Sequence, residues 1–173
     1  GGAITLDEAN VLGAITVNTG AGDVSITEAD APNGMDIAGI TRTSGDLTLN
    51  SGANEIDQSG VIDIATGATD LTGGAITLEQ ANVLGAITVN SGTGNVSITE
   101  DDTTNGMDIA AITRTSGDLT LNSGANEIDQ SGVIDIATGA TDLTGGAITL
   151  EQANVLGAIT VNSGAGDVSI TED

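Results

Sequence analysis

Twenty-five carboxylates and two guanidiniums are all the charged side-chain chemistry in this 173-residue sequence, for a formal net charge of −23. The cations are Arg42 and Arg114; His, Cys and Lys do not occur. No nucleophile–base pair, Schiff base, thiolate or imidazole metal site can therefore be assembled. Paired carboxylates could still hydrolyse glycosides. The aromatic platforms and cationic cluster expected of such a site are missing, and the acids recur in every copy of a repeat, whereas catalysis needs one site. Function is argued from a site and not from a fold, and the chain is expected not to be an enzyme.

One acidic row could hold metal. Asp23, Asp46, Asp70, Asn95, Asp118, Asp142 and Asp167 each follow a Gly-containing turn and precede an aliphatic residue and then Ser or Thr. Stacked on strands about 4.8 Å apart, two such carboxylates repel by about 0.9 kcal/mol in water, less with salt. Calcium bridging along Asp23, Asp46, Asp70, Asp118, Asp142 and Asp167 is one reading, because hard oxygen ligands suit it. The preferred reading is a solvated ladder whose side chains cap the backbone of the turns beside them. Calcium gathers about six to eight oxygens, and this row offers one residue per coil. Gly20-Ala21-Gly22-Asp23 matches the calcium nonapeptide G-G-x-G-x-D only in part, and no D-x-D-x-D-G loop is present. No metal or cofactor is expected, with calcium as the alternative.

Hydroxyls form the second candidate. Ser25, Thr48, Thr72, Ser97, Thr120 and Thr144 would make one outward column. Thr16, Thr41, Thr88 and Thr113 would make another, interrupted by Asp63. Flat Thr arrays resemble ice-binding solenoids, but Asp and Ser break these columns, and Thr is in any case a good outward strand residue. Arg42 and Arg114 fall at the inward parity of Val17 and Ile64. Either that corner bulges or each Arg lies over a neighbouring carboxylate, contributing about 0–1 kcal/mol. Asn95-Val96-Ser97 is a glycosylation sequon, relevant only to a eukaryotic secretory route.

These residues must be held by repeated elements. Ile40–Gly92 recurs without a change at Ile112–Gly164, and laying 1–101 over 73–173 leaves eleven mismatches. In the first copy they are Asp7, Glu8, Thr19, Ala21, Asp23, Ala29, Ala31, Pro32 and Gly39; Thr93 and Asn95 differ from the third. None replaces Ile, Leu, Val or Met. The chain reads as one solenoid with copies at 1–72 and 73–144 and a partial copy at 145–173, without separate domains. Aliphatics alternate with polar residues at Ile15/Val17, Val24/Ile26, Leu47/Leu49, Ile62/Ile64 and Ile76/Leu78, the mark of strands with one buried face. Only Asp7-Glu8-Ala9-Asn10 reads as a turn of helix. Ala14-Ile15-Thr16, Gly39-Ile40-Thr41, Val61-Ile62-Asp63 and Ala86-Ile87-Thr88 align at steps of 25, 22 and 25 residues. With three short strands per coil, this predicts an all-β, parallel β-solenoid, a right-handed β-helix, with three coils of 22–25 residues per 72-residue unit. Coils this short leave no room for helical crossovers, and mid-sized aliphatics suit a narrow interior.

Ser44-Gly45-Asp46-Leu47-Thr48-Leu49-Asn50-Ser51-Gly52 and Ser59-Gly60-Val61-Ile62-Asp63-Ile64 resemble the repeats of filamentous-haemagglutinin-type exoproteins, large bacterial adhesins exported by two-partner secretion. The resemblance implies a right-handed β-helix serving as the shaft of a surface fibre, and supplies no catalytic residues. The family's amino-terminal secretion domain has no counterpart in these residues, and the coils are longer than its typical ones.

The expected function is thus a structural extracellular module forming the shaft or stalk of an adhesin, surface fibre or filament. A calcium-dependent adhesive repeat is the alternative, and an ice-binding solenoid comes third. The expected partners are further copies stacked end to end or a self-assembled filament. So acidic a surface repels nucleic acid and anionic lipid, and no apolar run reaches membrane-spanning length. The absence of cysteine permits an oxidising, extracellular location. No signal peptide is visible, and the start at Gly1 reads as a processed or excised segment. Gly1–Leu6 repeats internal Gly73–Leu78 and Val168–Asp173 matches internal Val96–Asp101, so both ends fall in mid-pattern and a longer array is expected.

Overall fold

A computed structural model describes residues 1–31 and 33–173; one of the eleven mismatch positions, Pro32, lies outside them. The first copy contains β1 (Ile4–Asn10), β2 (Ile15–Asn18), β3 (Val24–Glu28), β4 (Met35–Arg42), β5 (Leu47–Asn50), β6 (Ile56–Gln58), β7 (Ile62–Ile64) and β8 (Ala68–Gly73). The second contains β9 (Ile76–Asn82), β10 (Ala86–Ser91), β11 (Val96–Glu100), β12 (Met107–Arg114), β13 (Leu119–Asn122), β14 (Ile128–Gln130), β15 (Ile134–Ile136) and β16 (Ala140–Gly145). β17 (Ile148–Asn154), β18 (Ala158–Ser163) and β19 (Val168–Glu172) follow. Among the described residues there is no helix, and hence none long and apolar enough to cross a membrane.

The chain passes alternately between two sheets. One holds β1, β3, β5, β8, β10, β12, β14, β15, β17 and β19; the other holds β2, β4, β6, β7, β9, β11, β13, β16 and β18. Neighbours within each sheet pair parallel, as in Val24 with Leu47 and Val96 with Leu119. A parallel partner cannot be reached by a hairpin, so each circuit of the chain lays one strand on each sheet. The result is the parallel β-solenoid that the alternation predicts, with about eight turns.

The coils are divided differently from the expected three per unit. Each has two sides, not three, and paired residues lie 18 to 23 positions apart, from Ala68–Ala86 to Val24–Leu47. β6 and β7 are successive pieces of one side, both lying on the long strand β4. What reads as a third strand is this broken side. One 72-residue unit therefore makes seven passes, which is three and a half turns. An odd number of passes moves each copy to the opposite sheet. β3 and its copy β11 lie on different sheets, as do β4 and β12.

The inward rows are the aliphatics. Val24, Ile26, Leu47, Leu49, Ile56, Ile76, Leu78 and Ile98 are fully or almost fully buried, and they form one core cluster with their counterparts elsewhere. Sheets about 10 Å apart have room for such side chains to interdigitate. Asp7-Glu8-Ala9-Asn10 belongs to β1 and is not helical. Its counterpart Glu79-Gln80-Ala81 bulges outward, with the register shift between Leu78 and Asn82. The buried Asn82 amide holds the bulge, donating to Gln80 O at 2.9 Å and Thr99 O at 3.0 Å. This local bonding outcompetes a helical turn. At the two ends the outer edges of β1 and β19 are unpaired, and Leu6, Val11, Val161 and Val168 are exposed.

Candidate functional site

The acidic row does not run the length of the molecule. Asp23 and Asp46 stack at one corner, where Asp23 Oδ1 accepts from Asp46 N at 3.0 Å and Asp46 Oδ1 accepts from Ala68 N at 2.9 Å. The next occupant of that corner is Ala68, because Asp70 sits two residues further along and pairs with Thr48 and Thr88 on the sheet face. The second copy repeats the pattern on the other sheet. Asn95 Oδ1 accepts from Asp118 N, Asp118 Oδ1 accepts from Ala140 N, and Asp142 pairs with Thr120 and Thr160. Asp167 stands at the start of β19's coil, its carbonyl accepting from Ile148 N at 3.0 Å. Corner and face acids are thus separate sets, alternating between sheets. The corner side chains cap the next coil rather than their own turn. Among the described residues no group of three or more acids is placed to hold a metal ion.

The hydroxyl columns divide in the same way. Ser25 pairs with Thr48 and Thr48 with Asp70, whereas Thr72 pairs with Asn50. Ser97, Thr120 and Asp142 repeat this on the other sheet, with Thr144 opposite Asn122. Thr16 lies opposite Gly39, Thr41 opposite Asp63, Thr88 opposite Asp70 and Thr113 opposite Asp135. Each face is therefore a mixed array of Thr, Ser, Asn and Asp.

Neither expectation for the arginines holds. Both are 2 % exposed and point into the solenoid. Arg42 donates to the carbonyls of Gly22, Ser44 and Asp46, and Arg114 to those of Gly94 and Ser116 and to Ser91 Oγ. Each guanidinium thus ties carbonyl groups of two successive coils. Burial lowers the pKa of both. Asp23 and Asp46 oppose this at Arg42, as Asp118 does at Arg114. A guanidinium remains charged under such conditions. The inward parity was legible in the sequence; the carbonyl cage was not, because nothing in the sequence marks a backbone acceptor.

Two interior features escaped sequence reasoning. Gln58 and Asn82 exchange side-chain amide bonds of 2.9 and 2.8 Å between neighbouring coils, and Gln130 and Asn154 do the same. Beside Asn82, and beside its counterpart Asn10, an inward Glu closes the corner. Glu28 Oε1 accepts from Leu12 N and Glu100 Oε1 from Leu84 N, each at 3.0 Å. Glu at an inward parity, after Val-Ser-Ile-Thr, was the available signal.

One concave corner gathers several carboxylates. Asp102, Asp108, Glu127 and Asp129 rim a cavity of about 420 Å³ over Ile64 and Val83. Burial opposes ionisation of Asp102, but bonds from Thr104 N, Asn105 Nδ2 and Asn105 N prevail and hold its carboxyl below the usual range. Burial, and then the charge of Asp129 on the next strand, raise Asp108.

The period seen in the strands is also a family signature. A family model described as repeats of unknown function, DUF5649, matches residues 21–91 and 93–171. The chain belongs to the DUF5649 repeat family. Each match spans about one 72-residue unit, so a DUF5649 repeat in this chain is three and a half turns of solenoid and not a whole number of coils. No curated protein and no solved structure matches the chain.

Proposed function

We propose that these DUF5649 repeats form part of an extracellular shaft or stalk, a structural spacer in an adhesin, fibre or filament, with more copies of the repeat stacked along the axis. The supporting observation is the continuity of the stack across the copy boundary. β6 of the first copy pairs with β9 of the second, Ile56 N donates to Ala75 O, and the core runs on through Ile56, Ile76 and Val96. A unit that stacks on its own copy without a cap lengthens by addition, as solenoids do. Buried cations and an outer surface of carboxylates and hydroxyls suit a shaft that resists sideways association through its charge. The location outside the cell rests on the resemblance to secreted shafts and on the lack of cysteine.

Electron microscopy of arrays with two, four and six units tests the reading. The particles should be rods of constant width that lengthen by about 17 Å per unit, three and a half rungs of about 4.8 Å. Compact particles whose width grows with copy number would overturn it.

A further inference from the structure

The inward glutamates have no structural task that requires a negative charge. Glu28 is 2 % exposed and Glu100 1 % exposed, in a row otherwise made of Val and Ile. In both, Oε1 accepts a Leu backbone N–H, and at Glu100 the Gly85 N–H adds a weaker backbone bond, while Oε2 is buried without a hydrogen-bond partner. The charges acting on them are all negative: Asp102 and Asp108 on Glu100, Asp30 and Asp36 on Glu28. Of the strands packed on β11, β9 carries Glu79, which bonds Ser97 Oγ on the outer face, and β13 carries no charge. β12, which follows β11, carries Asp108 and Arg114, and that Arg is engaged with Gly94 and Ser116 beyond the opposite end of β11. β3 is packed between β1 and β5. β1 carries Asp7, bonded to Ser25 Oγ, and exposed Glu8; β5 is uncharged, and Asp46 precedes it at the opposite end from Glu28.

We propose that Glu28 and Glu100 are proton-operated latches. As neutral acids they close the corner between coils, and on ionisation they loosen it, so the shaft is firmer in acid than in mild alkali. The chemistry is a proton leaving Oε2 to solvent. The anion strengthens the backbone N–H bonds but leaves a charged oxygen dry among aliphatics and facing acids, a state relieved by admitting water. The same residue in both copies places one latch on each sheet.

Burial raises the Glu100 pKa to about 8, and it raises Glu28 in the same direction. A carboxyl raised in the folded state favours folding at low pH. That advantage is lost as pH climbs from the unfolded value near 4.5 through the folded one. Ordinary exposed carboxylates are already ionised above about pH 6, so the interval from about pH 6 to 9 brackets the ionisation of Glu100.

Thermal melting of the intact chain across that interval is the test, for wild type and for the double variant Glu28→Gln, Glu100→Gln. Wild type should lose about 4 °C or more between pH 6 and pH 9. The variant should show a flat profile and melt above wild type at pH 9. An equal slope in both proteins overturns the proposal, as does a flat wild-type profile. Carbon-13 titration of the wild-type Glu side-chain carboxyls decides the matter if the variant does not fold. A Glu100 midpoint above about pH 7, with broadening of the Leu84 amide beyond it, supports the latch. A midpoint in the ordinary carboxylate range overturns it.

Discussion

Arg114 and its counterpart Arg42 have more hydrogen-bond donors than any other buried side chain among the described residues, and Arg114 Nη2 directs its bonds at backbone. The partners of Arg114 are the carbonyls of Gly94 and Ser116 and the hydroxyl of Ser91, which belong to adjacent coils. Replacing it with Met keeps the apolar stem and removes the donors, leaving buried acceptors without partners at about 1–3 kcal/mol each. We expect Arg114→Met to cost about 2–4 kcal/mol in urea denaturation. Arg114→Lys should recover less than half of that, because an ammonium cannot reproduce the planar fork. Full recovery with Lys would mean that charge alone, not the carbonyl cage, is what the corner needs. This role was half legible in the sequence. Inward parity pointed at the core, but the acceptors are carbonyls on turns whose stacking only the fold specifies. The same limit applies to the acidic row. Asp23 and Asp46 do stack, whereas Asp70 looks equivalent by local pattern and lies two residues out of register.

At the scale of the element, the turns limit how the coils approach. Gly45, Gly67 and Gly85 form a stair at one corner, and Gly117, Gly139 and Gly157 repeat it at the other. A Cβ on Gly139 would collide with the carbonyl oxygen of Gly117 one coil below, and its φ of +141° is one that L side chains rarely adopt. Gly139→Ala should therefore cost about 2–3 kcal/mol. Hydrogen exchange should locate the loss at the corner of Ala137–Ala140 rather than in the β13–β16 ladder. Uniform loss through the ladder would assign the glycine to packing in general. Strand existence and inward parity were readable because alternation with period two is a local property. The number of strands per coil was not. β6 and β7 are separated in sequence by Ser59–Val61 but continue one side, and only the length of β4 beneath them reveals it. Weak internal similarity also aligned Ile15 with Ile40, whereas Val17 is the residue that stacks there.

For the whole molecule, the half-turn remainder is the governing fact. Adjacent copies are related by a half rotation as well as by a rise along the axis, so a single sequence unit dresses both faces. Any bend built into one unit is reversed by the next, and a long array averages to a straight rod. A unit of whole turns would add its bend at every step and coil. This bears on the shaft reading, since a spacer needs reach along one direction. It can be measured on this chain by paired spin labels at Thr48→Cys and Thr120→Cys. These positions lie one unit apart, on outward rows of β5 and β13, which belong to opposite sheets. Units of whole turns would place both labels on one face, separated only by an axial rise of about 14–17 Å. The half-turn relation adds the thickness of two sheets, about 10 Å between backbones, and two label arms pointing in opposite directions, for a separation above about 20 Å. A narrow distribution below that distance would show the copies in phase on one face, and a long array would then have to curve.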